Sequence, residues 1–195
     1  MKRQVVVIHG GGTFIPKSGE SMLEFIQSKE PSLDRMRRSV DWKATLPDRL
    51  GDGYDVLAPR MPNADAPRYE EWKLWFEKML PLFDADALFV GHSLGGMFLA
   101  KYFSEGPART IPALFVVAAP FETLGYAWEL VTPEKLQERV KQIFFYHSDD
   151  DDVVNVSALA QYRALLPSAT ARLLAGRGHF NRDDFPEIVE DIRSV

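Results

Sequence analysis

The sequence predicts an α/β fold, a three-layer sandwich with a mostly parallel sheet of about six strands between layers of helices. Three observations predict it. Short apolar runs rich in Val, Ile, Leu and Phe alternate along the chain with amphipathic segments of helical period. Several runs are continuously apolar, the pattern of strands covered by helices on both faces. The 195 residues, 46% hydrophobic and 26% charged, supply one buried core and exclude a largely disordered chain, so residues 1–195 read as a single domain.

The strand candidates are residues 4–8, 55–57, 87–90, 113–118, 143–146 and 171–174. Helices fall between them. One covers Trp42–Leu50. In the next, Trp72, Trp75, Phe76, Met79 and Leu80 recur at helical spacing among Glu70, Glu71, Lys73, Glu77 and Lys78. Residues 97–102 continue as a helix from a glycine-rich turn. Leu159, Tyr162 and Leu166 form a stripe that Pro167 stops. Phe185, Ile188, Val189 and Ile192 form the last stripe, for which Asp184 and Glu187 predict a capping-box-like start with Pro186 in the first turn. Strands alternating with helices imply parallel pairing with right-handed crossovers. Two segments break the rhythm and are candidate lid or cap insertions. Residues 14–40 hold Pro16, Gly19 and Pro31, a short helix around Met22–Gln27, and an Arg35, Arg37, Arg38 cluster read as a solvated face; residues 121–131 follow a strand. The competing reading of both is ordinary packing.

Composition narrows the chemistry. The chain has no cysteine, which excludes a disulfide framework, a thiolate zinc site, an iron–sulfur cluster and a cysteine nucleophile. A net charge of −5 argues against a nucleic-acid partner. Lys2 and Arg3 precede only the short apolar run 5–8, less than a secretory h-region, and no stretch approaches the roughly 20 apolar residues of a membrane span. The expectation is a soluble, cytoplasmic protein with no membrane partner.

The sharpest motif is Gly91-His92-Ser93-Leu94-Gly95, preceded by an apolar strand and followed by a helix. This G-x-S-x-G in that context matches a nucleophile elbow, the competing reading being a plain strand–turn–helix with an inert serine. Bulky neighbours two residues either side of the serine would clash in so tight a turn. The turn lifts the Ser93 Oγ above the sheet edge and aims the Leu94 N–H at an oxyanion. A second oxyanion donor is needed, and His9-Gly10-Gly11-Gly12 after the first strand is an HGGG-type loop in which Gly11 and Gly12 are the candidates. A phosphate-binding loop is the rival, but the spacing matches neither common pattern. His9 is read as orienting this loop.

A serine hydroxyl needs a general base, and the base an orienting carboxylate. Of four histidines, His9 is in the glycine loop, His92 is inside the elbow with its side chain directed away from the nucleophile, and His147 ends a strand. His179, just after the last strand, remains as the base. The acid should precede it at the end of the penultimate strand, where Asp149, Asp150, Asp151 and Asp152 are consecutive. A D-x-x-V pattern fits Asp151 with Val154 and also Asp150 with Val153; Asp151 is preferred, and the remaining aspartates are assigned to capping the next helix. A divalent-metal site is the rival reading of four acids, but adjacent residues do not readily converge on one ion, so no metal is expected.

Together these motifs resemble the α/β-hydrolases, and within them the YdeN-like small serine hydrolases, the group that includes retinoblastoma-binding protein 9. The matching pieces are the glycine loop, Met61-Pro62-Asn63, Trp72, Gly91-His92-Ser93, Ser148-x-Asp150-Asp151-x-x-Val154 and Gly178-His179-Phe180. The resemblance implies a six-stranded parallel sheet, no cofactor, and a triad of Ser93, Asp151 and His179, the second aspartate of the family's pair being the triad member. The chain departs from the family at Asn155, where proline is common, and in the length of the 14–40 insertion. The expected function is hydrolysis of a small-molecule carboxylic ester or related acyl bond through an acyl-enzyme, in the manner of a carboxylesterase. The alternatives are a non-catalytic binding protein on a hydrolase scaffold, and a small peptidase or thioesterase. Phe14, Met61, Phe121, Tyr126 and Trp128 are candidates for an apolar substrate pocket, packed core being the competing reading.

Overall fold

The computed structural model describes residues 2–11, 21–28, 30, 40–106, 109–122, 128, 130 and 132–195. Strands β1 (Arg3–Ile8), β2 (Tyr54–Leu57), β3 (Leu88–His92), β4 (Ile111–Val117), β5 (Val140–Ser148) and β6 (Thr170–Leu174) form one open sheet. Its order is β2-β1-β3-β4-β5-β6 and every neighbouring pair is parallel. The intervening helices are α1 (Met22–Gln27), α2 (Trp42–Leu50), α3 (Tyr69–Met79), α4 (Leu94–Glu105), α5 (Pro133–Arg139), α6 (Ser157–Leu165) and α7 (Pro186–Ser194). This is the three-layer α/β sandwich with a six-stranded parallel sheet that the sequence predicts.

The alternation of side chains explains why the central strands are continuously apolar. On one face Val6, Ile8, Phe89, Leu114, Val116 and Phe145 pack against α3, α4, α5 and α6. On the other, Val5, Val7, Val90, Phe115, Val117 and Tyr146 pack against Trp42 and Leu46 of α2 and Ile188 and Ile192 of α7. Both faces are covered at the middle of these strands, so the run there is apolar throughout. Helix α4 is buried from Leu94 to Ser104 and accordingly lacks a polar stripe. Among the described residues no helix is long and apolar enough to cross a membrane.

The register places the site. Ile8 is level with Gly91, His92 with Val117, Val117 with Tyr146, and Ser148 with Leu174. The loops after β1, β3, β5 and β6 therefore leave from one edge of the sheet. The chain passes from β1 outward to β2 and then back to β3 on the other side, so a topological switch point lies between β1 and β3. Ligands of open α/β sheets bind there, beyond the carboxyl ends.

Some local expectations change. Helix α1 forms, with a capping box in which the Ser21 Oγ accepts from the Glu24 N–H while the Ser21 N–H donates to Glu24. The rest of the 14–40 insertion, apart from residues 21–28, 30 and 40, lies outside the described residues, its three arginines included. The capping box expected before α7 does not form. That helix begins at Pro186 after Phe185, with no side-chain cap, and the Asp184 and Glu187 carboxylates instead accept from the two Nη atoms of Arg177. Helix α5 was not anticipated, because Leu136 is its one apolar residue and no stripe marks it; Pro133 at its start and Glu134 in its first turn are the signals it does carry.

Candidate active site

Strand β3 runs straight into Ser93, whose backbone sits at φ 54°, ψ −126° before α4 begins at Leu94. Such a conformation costs a non-glycine residue about 1–3 kcal/mol and persists only where its surroundings impose it. Here the Ser93 N–H donates to the Val117 carbonyl at 2.7 Å, and the Ser93 carbonyl accepts from the Gly96 N–H at 3.0 Å. The flanking glycines are steric requirements. A Cβ on Gly91 would lie 2.5 Å from the Gly95 carbonyl oxygen, and one on Gly95 would lie 2.4 Å from the Ile8 and His9 carbonyl oxygens. Leu94 occupies the first helical position, where a backbone N–H has no partner within the helix.

The loop after β1 lies against this turn. A Cβ on Gly11 would come within 2.4 Å of the Ala64 carbonyl, so the loop presses on the turn that follows β2. His9 clamps the two together. Its Nδ1–H donates to the Gly10 carbonyl and its Nε2 accepts from the Met61 N–H at 2.9 Å. Trp72 supports them, donating from Nε1 to the Pro62 carbonyl at 2.8 Å with its ring edge-on to His9. His9 thus orients the glycine loop. Gly12 lies outside the described residues.

The run from Ser148 to Asp151 grips the loop that carries His179, one contact per residue. The Ser148 Oγ accepts from the Arg177 N–H at 2.9 Å, Asp149 Oδ1 from the Gly176 N–H at 3.1 Å, and Asp150 Oδ1 from the Gly178 N–H at 2.7 Å. Asp151 takes the side chain itself: His179 Nδ1 lies 2.9 Å from its Oδ2 and 3.1 Å from its Oδ1. The Asp151 side chain has no exposed surface. Burial raises its pKa, but hydrogen bonds from His179 and from the Val154 and Val153 N–H groups outweigh that and hold it below the ordinary carboxylate value. His147 lies beside it and donates from Nε2 to the Val154 carbonyl at 3.0 Å. The aspartates do not cap the following helix as expected; at its start the Asn155 Oδ1 accepts from the Ser157 N–H. Among the described residues no group of three or more metal-ligating side chains is placed to hold an ion.

Ser93 and His179 line the same cleft, of about 340 Å³, with Gly10 and Gly11 from the loop after β1, Ala64 and Asp65 from that after β2, and Val153 from that after β5. His92 also lines it, and its Nε2–H donates to the His179 backbone carbonyl at 2.9 Å. That contact was not visible in the sequence, where His92 reads only as the variable position of the elbow. The described candidates for the apolar pocket lie elsewhere. Met61 and Trp128 are buried in the core, Trp128 edge-on to Trp72, and Phe121 packs edge-on to Tyr162. None of the three lines the cleft. Phe14 and Tyr126 lie outside the described residues.

A family model described as serine hydrolase matches residues 36–190. Among solved structures, the ydeN gene product of B. subtilis superposes with a TM-score of 0.77 at 19% identity, over 99% of this chain and 98% of that one. A YdeN-like hydrolase from Pectobacterium atrosepticum gives 0.65 at 13% identity, over 99% and 90%. Est1E from Butyrivibrio proteoclasticus, with ferulic acid bound, gives 0.61 at 14% identity, over 98% and 87%. No curated protein matches the chain significantly.

Proposed function

The chain belongs to the serine hydrolase family, and from that premise we propose that it hydrolyses a carboxylic ester or related acyl bond, with Ser93 as nucleophile, His179 as general base and Asp151 as the acid that orients it. The observation that carries this reading is the 2.9 Å contact from His179 Nδ1 to a fully buried Asp151 carboxylate. A carboxylate only accepts, so the imidazole proton sits on Nδ1 and Nε2 keeps the lone pair a base requires.

The Ser93 Oγ attacks the substrate carbonyl as His179 Nε2 takes its proton. His179 then returns that proton to the leaving alcohol, and the acyl group remains on Ser93. Water, deprotonated by the same Nε2, attacks the acyl-enzyme and releases the acid. Through both steps Asp151 stabilises the imidazolium without itself taking the proton. The Leu94 and Gly11 N–H groups receive the oxyanion; losing one such donor typically costs about 2.7–4 kcal/mol of barrier. A cleft of about 340 Å³ suits a small molecule.

The test is labelling with a fluorophosphonate, together with p-nitrophenyl esters of graded chain length. Wild type should label and turn over, and Ser93→Ala should do neither. Equal labelling of the two proteins, or turnover that survives in Ser93→Ala, would remove Ser93 from the mechanism.

A further inference from the structure

His179 is held twice: through its ring by Asp151 and through its backbone carbonyl by His92. A carbonyl oxygen only accepts, so His92 must carry its proton on Nε2, which leaves a lone pair on Nδ1. Facing that lone pair, 3.4 Å away, is the Nζ of Lys43 from the first turn of α2. The Lys43 ammonium is paired to Asp41 at 2.5 Å and lies 5.2 Å from the centroid of the Trp42 ring, which in turn packs edge-on to the His92 ring. The arrangement is enclosed: His92 is 5% exposed and the Lys43 side chain 17%.

We propose that Lys43 is a positioning residue for the general base, acting through His92: by donating to His92 Nδ1 it locks the tautomer whose Nε2–H holds the His179 carbonyl. The proposal rests on the reading of His179 as the base. With Nδ1 protonated instead, His92 would turn an N–H toward the ammonium and a lone pair toward the carbonyl, two repulsions in place of two hydrogen bonds. The doubly protonated ring is opposed as well, since burial and then the charge of Lys43 push His92 well below the ordinary imidazole range. Asp41 secures the donor. Burial lowers the Lys43 pKa, and the hydrogen bond and charge of Asp41 act to raise it again. A displacement of the imidazole by a fraction of an ångström is costly where proton transfer depends on alignment, so a residue that touches neither substrate nor Ser93 gains influence over turnover.

Two readouts test this. In ¹⁵N-histidine-labelled protein, the His92 nitrogens of wild type should show the Nε2–H tautomer alone, and Lys43→Met, which keeps length but removes one of the two contacts that favour it, should gain a measurable share of Nδ1–H. In steady state, Lys43→Met should lower kcat about tenfold with KM unchanged, and Lys43→Arg should restore most of the loss. The two effects should share one route, so Lys43→Met should add nothing in a His92→Phe background. His92→Gln is the second background, for use if the phenylalanine variant does not fold. It retains a donor and has no tautomer to set, so Lys43→Met should be silent there too. A pure Nε2–H signal persisting in Lys43→Met, an unchanged kcat, or losses that multiply in the double variant would each overturn the proposal. The tautomer readout needs no turnover. If wild type hydrolysed no ester, the proposed function would fall while the link from Lys43 to His92 was still decided.

Discussion

His179 Nδ1 lies 2.9 Å from Oδ2 of Asp151, a residue 28 positions earlier in the chain. The same carboxylate accepts the backbone N–H groups of Val153 and Val154, each at 2.9 Å, so it cannot turn away from the ring. Asp151→Asn keeps the shape but offers an N–H where the imidazole needs an acceptor. We predict a fall in kcat of about 10³–10⁴-fold with the fold intact. Asp150→Asn, which alters a contact to the Gly178 N–H and not to the ring, should cost far less. Steady-state kinetics on a p-nitrophenyl ester measure both, and a larger loss for Asp150→Asn would reverse the assignment.

Stability should fall in acid in two stages. Asp151 has a folded pKa below its ordinary 3.8, so its contribution is complete above that value and is lost as the pH drops through the folded one. His92 acts earlier. Its folded pKa lies well below 6.5, so below about pH 6.5 the unfolded chain takes up a proton that the folded chain refuses. From that point stability declines with falling pH, by at most about 1.4 kcal/mol per unit for this one group. Urea midpoints measured between about pH 7.5 and 5 should show the slope, and His92→Gln should flatten it. Parallel slopes in the two proteins would show that His92 takes up its proton equally in the folded and unfolded chains.

The elbow glycines should be intolerant for a reason unrelated to chemistry. In Gly91→Ala the new methyl would meet the Gly95 carbonyl and the Gly96 backbone at 2.5 Å. We predict a loss of at least about 3 kcal/mol, at the upper end of overpacking penalties, together with loss of fluorophosphonate labelling. Gly53→Ala is the control. Its Cβ would meet nothing within 4 Å, and its stability should stay within about 0.5 kcal/mol of wild type. Thermal melts compare the two. A Gly91→Ala protein as stable as wild type would show that the turn relaxes.

How far the sequence carries depends on the range of the contact that decides each point. The elbow was legible because its residues, Gly91, Ser93 and Gly95, are written together between an apolar strand and a helix, although the backbone that forbids a Cβ at Gly95 is that of distant Ile8 and His9. The central strands were legible because burial on both faces leaves a continuous apolar run. The choice among four aspartates was only narrowed: the D-x-x-V spacing favoured Asp151, the one that meets His179, but Asp149, Asp150 and Asp151 each bond a different point of one distant loop, so the rest depends on how β5 and β6 bring that loop up. His92 was hidden for the same reason, its partners being Lys43 and the His179 carbonyl, 49 and 87 residues away. Aromatic residues left a choice open for another reason. Trp128 and Phe121 carry no local mark that separates the wall of a pocket from the wall of the core.

That distinction supplies the last prediction. Trp128 is 2% exposed and packs against Tyr69, Trp72 and Phe98, whereas Val153 is 64% exposed and lines the cleft beside Ser93. Trp128→Phe should therefore lower stability by about 1–2 kcal/mol, through lost packing and an imperfectly filled site, and leave the order of preference among acyl chain lengths as it was. Val153→Ala removes apolar surface where an acyl chain would lie. It should leave the melting temperature nearly unchanged and raise KM for the longer p-nitrophenyl esters relative to the acetate. The paired readout separates core from pocket because each substitution is expected to move one quantity and not the other. A changed chain-length preference in Trp128→Phe, with none in Val153→Ala, would return Trp128 to the substrate pocket.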